Sequence, residues 1–218
     1  EVTTYLSSRH HQDTWVKDGY LLVDASPIDV DVLNSIMKYL TLKVGHFEVD
    51  YGDEHYRRTD NGLAMYNPFV GNYIMDAFTT EIGGEAYVRA NGVLAMAGVT
   101  GGEIHGQVTQ PQKRSPTFLG KLGYDSQINP DFRFRLTGSV YGTSRSANNT
   151  LYSGDRAGSR YYDVMENTAS TEDANAWSGA IQPKLSSKVT AVVVNPFIKY
   201  QGFEFFGRRD AGRVGRGL

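Results

Sequence analysis

The chain has 218 residues, a net charge of −2, 14 Tyr, 24 Gly and no Cys. The balanced charge gives no indication of nucleic-acid binding, and the lack of cysteine excludes disulfides and thiolate metal ligands. No run of about 18 apolar residues occurs, which excludes a helical membrane protein and leaves soluble and barrel folds open.

The first elements along the chain are typical of strands and one short helix. Residues 2–9 and 14–24 predict two strands around the polar turn at 10–13. Apolar residues lie on both faces of the second strand, so the sequence does not fix which face is buried. Apolar residues at helical spacing predict a helix over 29–40. Residues 42–51 predict another strand, in which the alternation changes phase near Gly45. That change predicts a β-bulge.

A long connection, residues 52–72, begins with a cluster of charges. If this connection folds inward, Arg57, Arg58 and Asp60 would form a pore constriction that selects solutes by the sign of their charge. A salt-bridged loop anchored to the wall would use the same residues. Both interpretations stay open at this point.

The next strands are long and regular. Residues 74–89 predict a strand that ends at Asn91-Gly92, and the chain returns over 93–100. The Asn-Gly pair is a strong hairpin signal because both positions tolerate positive φ.

Residues 118–128 and 132–143 predict a second hairpin, and the return strand has the strictest alternation. The strictly alternating part is residues 132–141. Ten residues at about 3.3 Å rise and about 45° tilt span roughly 23 Å, close to the apolar band of an outer-membrane barrel. Its polar face carries Arg133 and Arg135. The apolar face is predicted to contact lipid through Phe132, Phe134, Leu136 and Val140.

The polar strand faces carry charges of both signs. Glu81 and Glu85 lie roughly 13 Å apart by strand rise, too far for the carboxylate pair of a glycosidase. The chain lacks a nucleophile elbow, phosphate loop and zinc signature, so we expect no enzyme, cofactor or metal site. The charges favour the lining of a watery lumen, with a solvated sheet face as the alternative. The predicted lining residues are Glu81, Glu85, Arg89, Lys121, Arg133 and Arg135.

Connections along the chain alternate between short and long. The short turns are 91–92, 129–131 and 201–202, and the long loops are 52–72, 101–115 and 144–182. An up-and-down barrel has short turns at one end and long loops at the other, whereas a sandwich scatters its long loops over both ends. The alternation of short and long connections favours the barrel.

The predicted fold class is therefore all-β: an antiparallel up-and-down transmembrane β-barrel, or a large part of one, with one short helix near 29–40. A last hairpin joins 189–200 to 203–206. Residues 1–206 are predicted to form the barrel, in incomplete form, and 207–218 an irregular Arg/Gly-rich tail. The first residues do not have the basic and apolar regions of a signal peptide, and we expect that one was removed or truncated.

Several segments resemble porin-like outer-membrane proteins of the Bacteroidetes. They include residues 46–62, which begin His-Phe-Glu-Val-Asp-Tyr-Gly-Asp, and residues 66–85, which begin Tyr-Asn-Pro-Phe-Val-Gly-Asn. The likeness continues at 118–125 and 151–162. It implies an outer-membrane barrel without a defined active site. Members of such families are longer than this chain and end in an aromatic residue, so the resemblance implies that the last strands are missing here.

These observations predict a bacterial outer-membrane channel for passive diffusion of small hydrophilic solutes. Its expected partners are outer-membrane lipid, those solutes, and further copies of the chain or envelope proteins, with no nucleic acid. One alternative is a β-sandwich, soluble or attached to the cell surface, that binds carbohydrate through loop aromatics. The loop aromatics of this sandwich would be Tyr152, Tyr161, Tyr162 and Trp177. Another alternative is a non-conducting structural barrel that docks envelope proteins.

Overall fold

The computed structural model describes residues 2–6, 14–53, 79–103, 114–147, 149–152, 183 and 185–215, with the backbone alone for 3–6, 14–17 and 103. Ten strands and one helix lie within these residues. The elements are β1 (Val2–Leu6), β2 (Thr14–Val23), α1 (Asp31–Met37), β3 (Leu40–Glu48), β4 (Thr80–Ala90), β5 (Val93–Glu103), β6 (Thr117–Asn129), β7 (Phe132–Thr143), β8 (Lys188–Tyr200), β9 (Phe203–Phe206) and β10 (Arg209–Gly215).

The strands form one antiparallel sheet in sequence order. Each strand from β1 to β8 pairs with the next, and β9 and β10 both pair with the far edge of β8. Within the described residues, β1 and β10 do not pair, so the sheet is not closed. The predicted fold class is confirmed as an all-β, antiparallel, up-and-down sheet with one short helix.

The prediction of an irregular tail at 207–218 is wrong for β10. This strand pairs along seven positions of β8, in the same register as β9. The edge of β8 extends beyond β9, and its backbone donors and acceptors need partners. The high Arg and Gly content of β10 weakens the apolar alternation, so the pattern did not indicate a strand.

Pro196 explains the break between β9 and β10. Proline has no N–H to donate across the ladder. The Gly207 N–H still donates to the Pro196 carbonyl at 2.9 Å. The Asn195 side-chain amide donates to the Gly207 carbonyl at 3.4 Å. A side chain therefore replaces the missing backbone donor, and the ladder resumes in register.

The bulge predicted near Gly45 is wrong, because the ladders of β3 with β2 and β4 run through this residue without a shift. Gly45 instead has φ +142°, and a Cβ there would lie 2.6 Å from the Gly19 carbonyl oxygen. Close approach of β2 requires the glycine. The change of phase in the sequence reflects a change of the apolar face, because Val44 is exposed on the outer face whereas Phe47 and Val49 are buried on the inner one.

The connections sort to two ends of the sheet. The turns at 91–92, 130–131 and 201–202 lie at one end, together with α1, and we call this the tight-turn end. The longer connections leave from the opposite end, which we call the long-loop end. This separation is the one that the alternating connection lengths predicted.

Helix α1 is shorter than the predicted 29–40 and has no buried residue. Within the residues that the structure describes, no helix is both long enough and apolar enough to cross a membrane.

The two faces of the sheet have opposite polarity and opposite exposure. On what we call the outer face, apolar side chains are exposed: Leu122 retains 69% of its accessible surface and Phe118 66%. On the inner face, polar side chains are buried: Glu81 retains 0% and Lys121 3%. Proteins in water usually show the reverse. The exposed outer-face residues include Val44, Ile82, Val88, Val99, Phe118, Leu122, Leu136, Val140, Val192 and Val194.

Candidate functional site: the polar inner face

A short backbone segment after β3, residues 49–53, lies across the inner face. We call it the crossing segment. All of its residues are buried, and its N–H groups donate to side chains of three different strands. Because these side chains converge on one short segment, the inner face is concave. The bonds run from Asp50 N–H to Glu85 at 3.0 Å, from Gly52 N–H to Ser139 at 3.1 Å and from Asp53 N–H to Asn195 at 3.1 Å.

Lys121 of β6 is the central cation under the crossing segment. Its Nζ lies 2.6 Å from an Asp50 carboxylate oxygen and 2.9 Å from one of Asp53. It also donates to the Gly52 carbonyl at 2.9 Å. A buried ammonium needs both charge compensation and hydrogen bonds, and these contacts supply both.

Asp53 is held from the β7 side as well. Thr137 Oγ1 donates to its second carboxylate oxygen at 2.6 Å, and Arg135 Nη2 lies 3.3 Å from the same oxygen. Burial raises the pKa of Asp53, but Lys121, Thr137 and Arg135 together outweigh burial and lower it below its ordinary value. The residue is therefore a carboxylate at neutral pH.

Glu85 supports the other end of the crossing segment. Besides accepting the Asp50 N–H, it accepts a hydrogen bond from Tyr87. Lys43 Nζ lies 3.9 Å from its carboxylate. The Glu85 side chain is buried, and its carboxylate accepts a hydrogen bond from the backbone of the crossing segment.

Glu81 lies four residues from Glu85 along β4, nearer the long-loop end, and is completely buried. Tyr141 donates to it at 2.7 Å, Thr117 at 3.4 Å, and Thr100 also donates. Asn149, from the connection after β7, donates to the Tyr141 hydroxyl at 2.8 Å. This network ties four strands, β4 to β7, and one connection together.

A tyrosine pair joins the crossing segment to β10. The hydroxyls of Tyr51 and Tyr152 lie 2.6 Å apart, and both donate to Asp210, which also pairs with Arg208. Burial raises the pKa of both tyrosines, as does the Asp210 carboxylate. They therefore remain neutral donors across the physiological range.

The inner face is filled differently at its two ends. Toward the long-loop end, a core of aromatic and aliphatic side chains packs between the sheet, the crossing segment and residues 149–152. Its members include Val49, Tyr51, Leu119, Tyr141, Leu151, Val189 and Val193. Toward the tight-turn end lies a cavity of about 500 Å³. We call it the vestibule. It is lined by Asp50, Asp53, Arg89, Leu94, Lys121, Asp125, Arg135 and Thr137, among others.

The structure places the predicted lining residues on the inner face in two groups. Glu81, Glu85 and Lys121 are buried and bonded to protein groups. Arg89, Arg133 and Arg135 lie toward the tight-turn end and are partly or largely exposed. A role in lining a pore stays a prediction for all six.

The residues predicted to contact lipid share the outer face of β7. Leu136 and Val140 are exposed, whereas Phe132 and Phe134 are half-buried. The intervening Thr137, Ser139 and Tyr141 are buried, so the alternation of this strand is confirmed. Contact with lipid stays a prediction.

The predicted constriction residues Arg57, Arg58 and Asp60 lie outside the described residues. So do Tyr161, Tyr162 and Trp177, three of the loop aromatics considered for carbohydrate binding. The fourth, Tyr152, is buried against Tyr51 and Asp210.

The crossing segment is what sequence reasoning missed. The pattern predicted a strand to residue 51, whereas β3 ends at Glu48 and the chain turns onto the inner face. The available signal was the group Asp50, Tyr51 and Asp53, which places carboxylates directly after an apolar strand. The partners Ser139 and Asn195 carry no local signal.

Comparisons of the chain with family models, with curated proteins and with solved structures found no match.

Proposed function

We propose that this chain is a porin-like bacterial outer-membrane β-barrel, or a large part of one, that lets small hydrophilic solutes diffuse along its inner face. The inverted polarity of the sheet carries the proposal. Apolar side chains are exposed on the outer face, and charged side chains are buried on the inner face. This combination is unfavourable in water and favourable where lipid covers the outer face.

The exposed outer-face side chains are continuous across neighbouring strands. Val88, Leu122 and Val194 belong to one row of paired residues that crosses β4 to β8. Strands β4 to β8 are 11 to 13 residues long. A tilted transmembrane strand needs about 9–11 residues. Both the width and the height of the apolar surface support a membrane location.

The crossing segment would set the size and charge of what passes. Residues 52 and 53 begin the connection 52–72, for which an inward fold was one of two open interpretations, and residues 49–53 lie on the inner face. This supports a constriction formed by the same connection, with Arg57, Arg58 and Asp60 as its proposed charged residues. Transport of this kind needs no chemical step, cofactor or resident metal.

Two measurements on the purified chain test this function. We expect it to stay monodisperse only in detergent, and to produce discrete single-channel conductance steps in a planar bilayer. A chain that is monodisperse in plain buffer would contradict the membrane location. Membrane insertion without conductance steps would contradict the channel alone.

A non-conducting structural barrel is the second candidate, and one observation favours it. The crossing segment and residues 149–152 fill the long-loop end of the inner face with a packed core. Asp50→Asn combined with Asp53→Asn would remove the carboxylates that hold the segment to Lys121. If the channel is closed by this segment, the double variant should conduct while the parent does not.

A further inference from the structure

The vestibule has the size and lining of a ligand site. Its volume of about 500 Å³ falls within the range of pockets that hold small organic molecules, roughly 300–1,000 Å³. Its lining combines charged groups with the apolar Ala90, Val93 and Leu94. The crossing segment contributes Asp50 and Asp53 to the lining, and the turn at 91–92 contributes Asn91 and Gly92.

The carboxylates of the vestibule are already paired with cations. Asp50 and Asp53 are bound to Lys121. Asp125 receives two hydrogen bonds from Arg133, at 2.8 Å and 2.6 Å. A cationic ligand would therefore have to displace a cation that the protein supplies.

Two guanidinium groups have donors that the described residues do not use. Arg89 stacks on the Tyr87 ring, and its one hydrogen bond is a 3.5 Å contact with Thr41. Arg135 pairs with Asp53 through Nη2 and stacks on Phe197, and a quarter of its side chain stays exposed. Its buried Nε has no hydrogen-bond partner within the described chain. A guanidinium carries five N–H donors in a planar fork that fits a carboxylate.

From this we infer that the vestibule binds a small organic carboxylate. Arg89 and Arg135 hold the carboxylate group, and Leu94 with its apolar neighbours packs against the rest of the molecule. Binding here needs no passage through the barrel, so the inference stands apart from the proposed channel.

Benzoate is a suitable probe, with benzamide as the neutral molecule of the same shape. Titration calorimetry of the full chain, in the medium that keeps it monodisperse, should show one benzoate bound and no benzamide. Arg89→Gln and Arg135→Gln should each weaken benzoate binding about tenfold or more, because each removes a charged hydrogen-bond donor. Circular dichroism checks that each variant keeps its strand content.

Lys199→Gln is the matched control. Lys199 lies near the same end of the sheet, pairs with Glu204 at 2.8 Å and does not line the vestibule. We expect less than about a twofold change in benzoate affinity for this variant, since an exposed pair contributes little. Equal binding of benzamide, no benzoate binding at millimolar concentration, or equal affinity in Arg89→Gln and Lys199→Gln would each overturn the inference. A chain that binds benzoate without conducting would contradict the channel and leave this site intact.

Discussion

Lys121 is the buried cation that compensates the carboxylates of the crossing segment. Two buried carboxylates and a backbone carbonyl lie within hydrogen-bond distance of its ammonium group. Each of these groups would be costly to bury without a partner. Lys121 therefore adds the charged contacts to the hydrogen bonds by which Glu85, Ser139 and Asn195 hold the crossing segment.

Replacing Lys121 tests this dependence. Lys121→Met keeps the length of the side chain but removes the ammonium group that both carboxylates contact, so the free energy of unfolding should fall by about 3–5 kcal/mol. Urea unfolding of the folded protein measures the change. Lys199→Met is the control for an exposed ion pair and should cost less than about 1 kcal/mol. Equal losses in the two variants would contradict the role of Lys121.

Asp53 makes the stability depend on pH. Its pKa is lowered in the folded protein, so its contribution is fully present above its pKa in the unfolded chain. The contribution is lost as the pH falls through the lower pKa of the folded state. The parent chain should therefore lose more stability on acidification than Asp53→Asn does. Parallel curves of unfolding free energy against pH for the two proteins would refute this.

Strand β6 has a buried charge on its inner face and an exposed apolar side chain on its outer face. Lys121 on its inner face binds the crossing segment, and the adjacent Leu122 on its outer face is largely exposed. A strand places neighbouring side chains on opposite faces. One residue step therefore separates the most buried charge of this strand from its most exposed apolar group.

Leu122→Arg separates a lipid-facing from a water-facing strand. If Leu122 lies near the middle of a bilayer, the substitution should cost about 2–4 kcal/mol of folding free energy in lipid. If the residue faces water, the cost should stay within about 0.5 kcal/mol. Ile128→Arg, nearer the turn of the same strand, is the control and should cost about 0–1 kcal/mol in lipid. Refolding into vesicles over a urea series measures both.

The sequence predicted the elements whose pattern is local. The alternation of residues 132–143 gave β7 with its bounds, and Asn91-Gly92 marked the turn between β4 and β5. It failed where distant residues decide the conformation. The crossing segment is fixed by Glu85, Ser139 and Asn195, which lie on three other strands. β10 forms because β8 offers an unpaired edge.

Across the described sheet, apolar side chains are exposed on the outer face and charged side chains are buried on the inner face, the reverse of a sheet in a soluble protein. Its interior combines a packed core near the long-loop end with a charged vestibule near the tight-turn end. A solute entering from the tight-turn end would meet the vestibule first and then the crossing segment. A solute would then bind in the vestibule, on one side of the crossing segment, whether or not that segment moves to open a path.

Single cysteines test the reversed polarity most directly, because the chain has no native cysteine. Bimane attached at Val140→Cys or Leu122→Cys, with the protein in lipid vesicles, should be quenched by nitroxide-labelled lipid and little by aqueous iodide. Gln127→Cys, near the turn of β6, should show the opposite preference. Quenching of the Val140 and Leu122 probes by iodide, with no effect of the labelled lipid, would contradict the account.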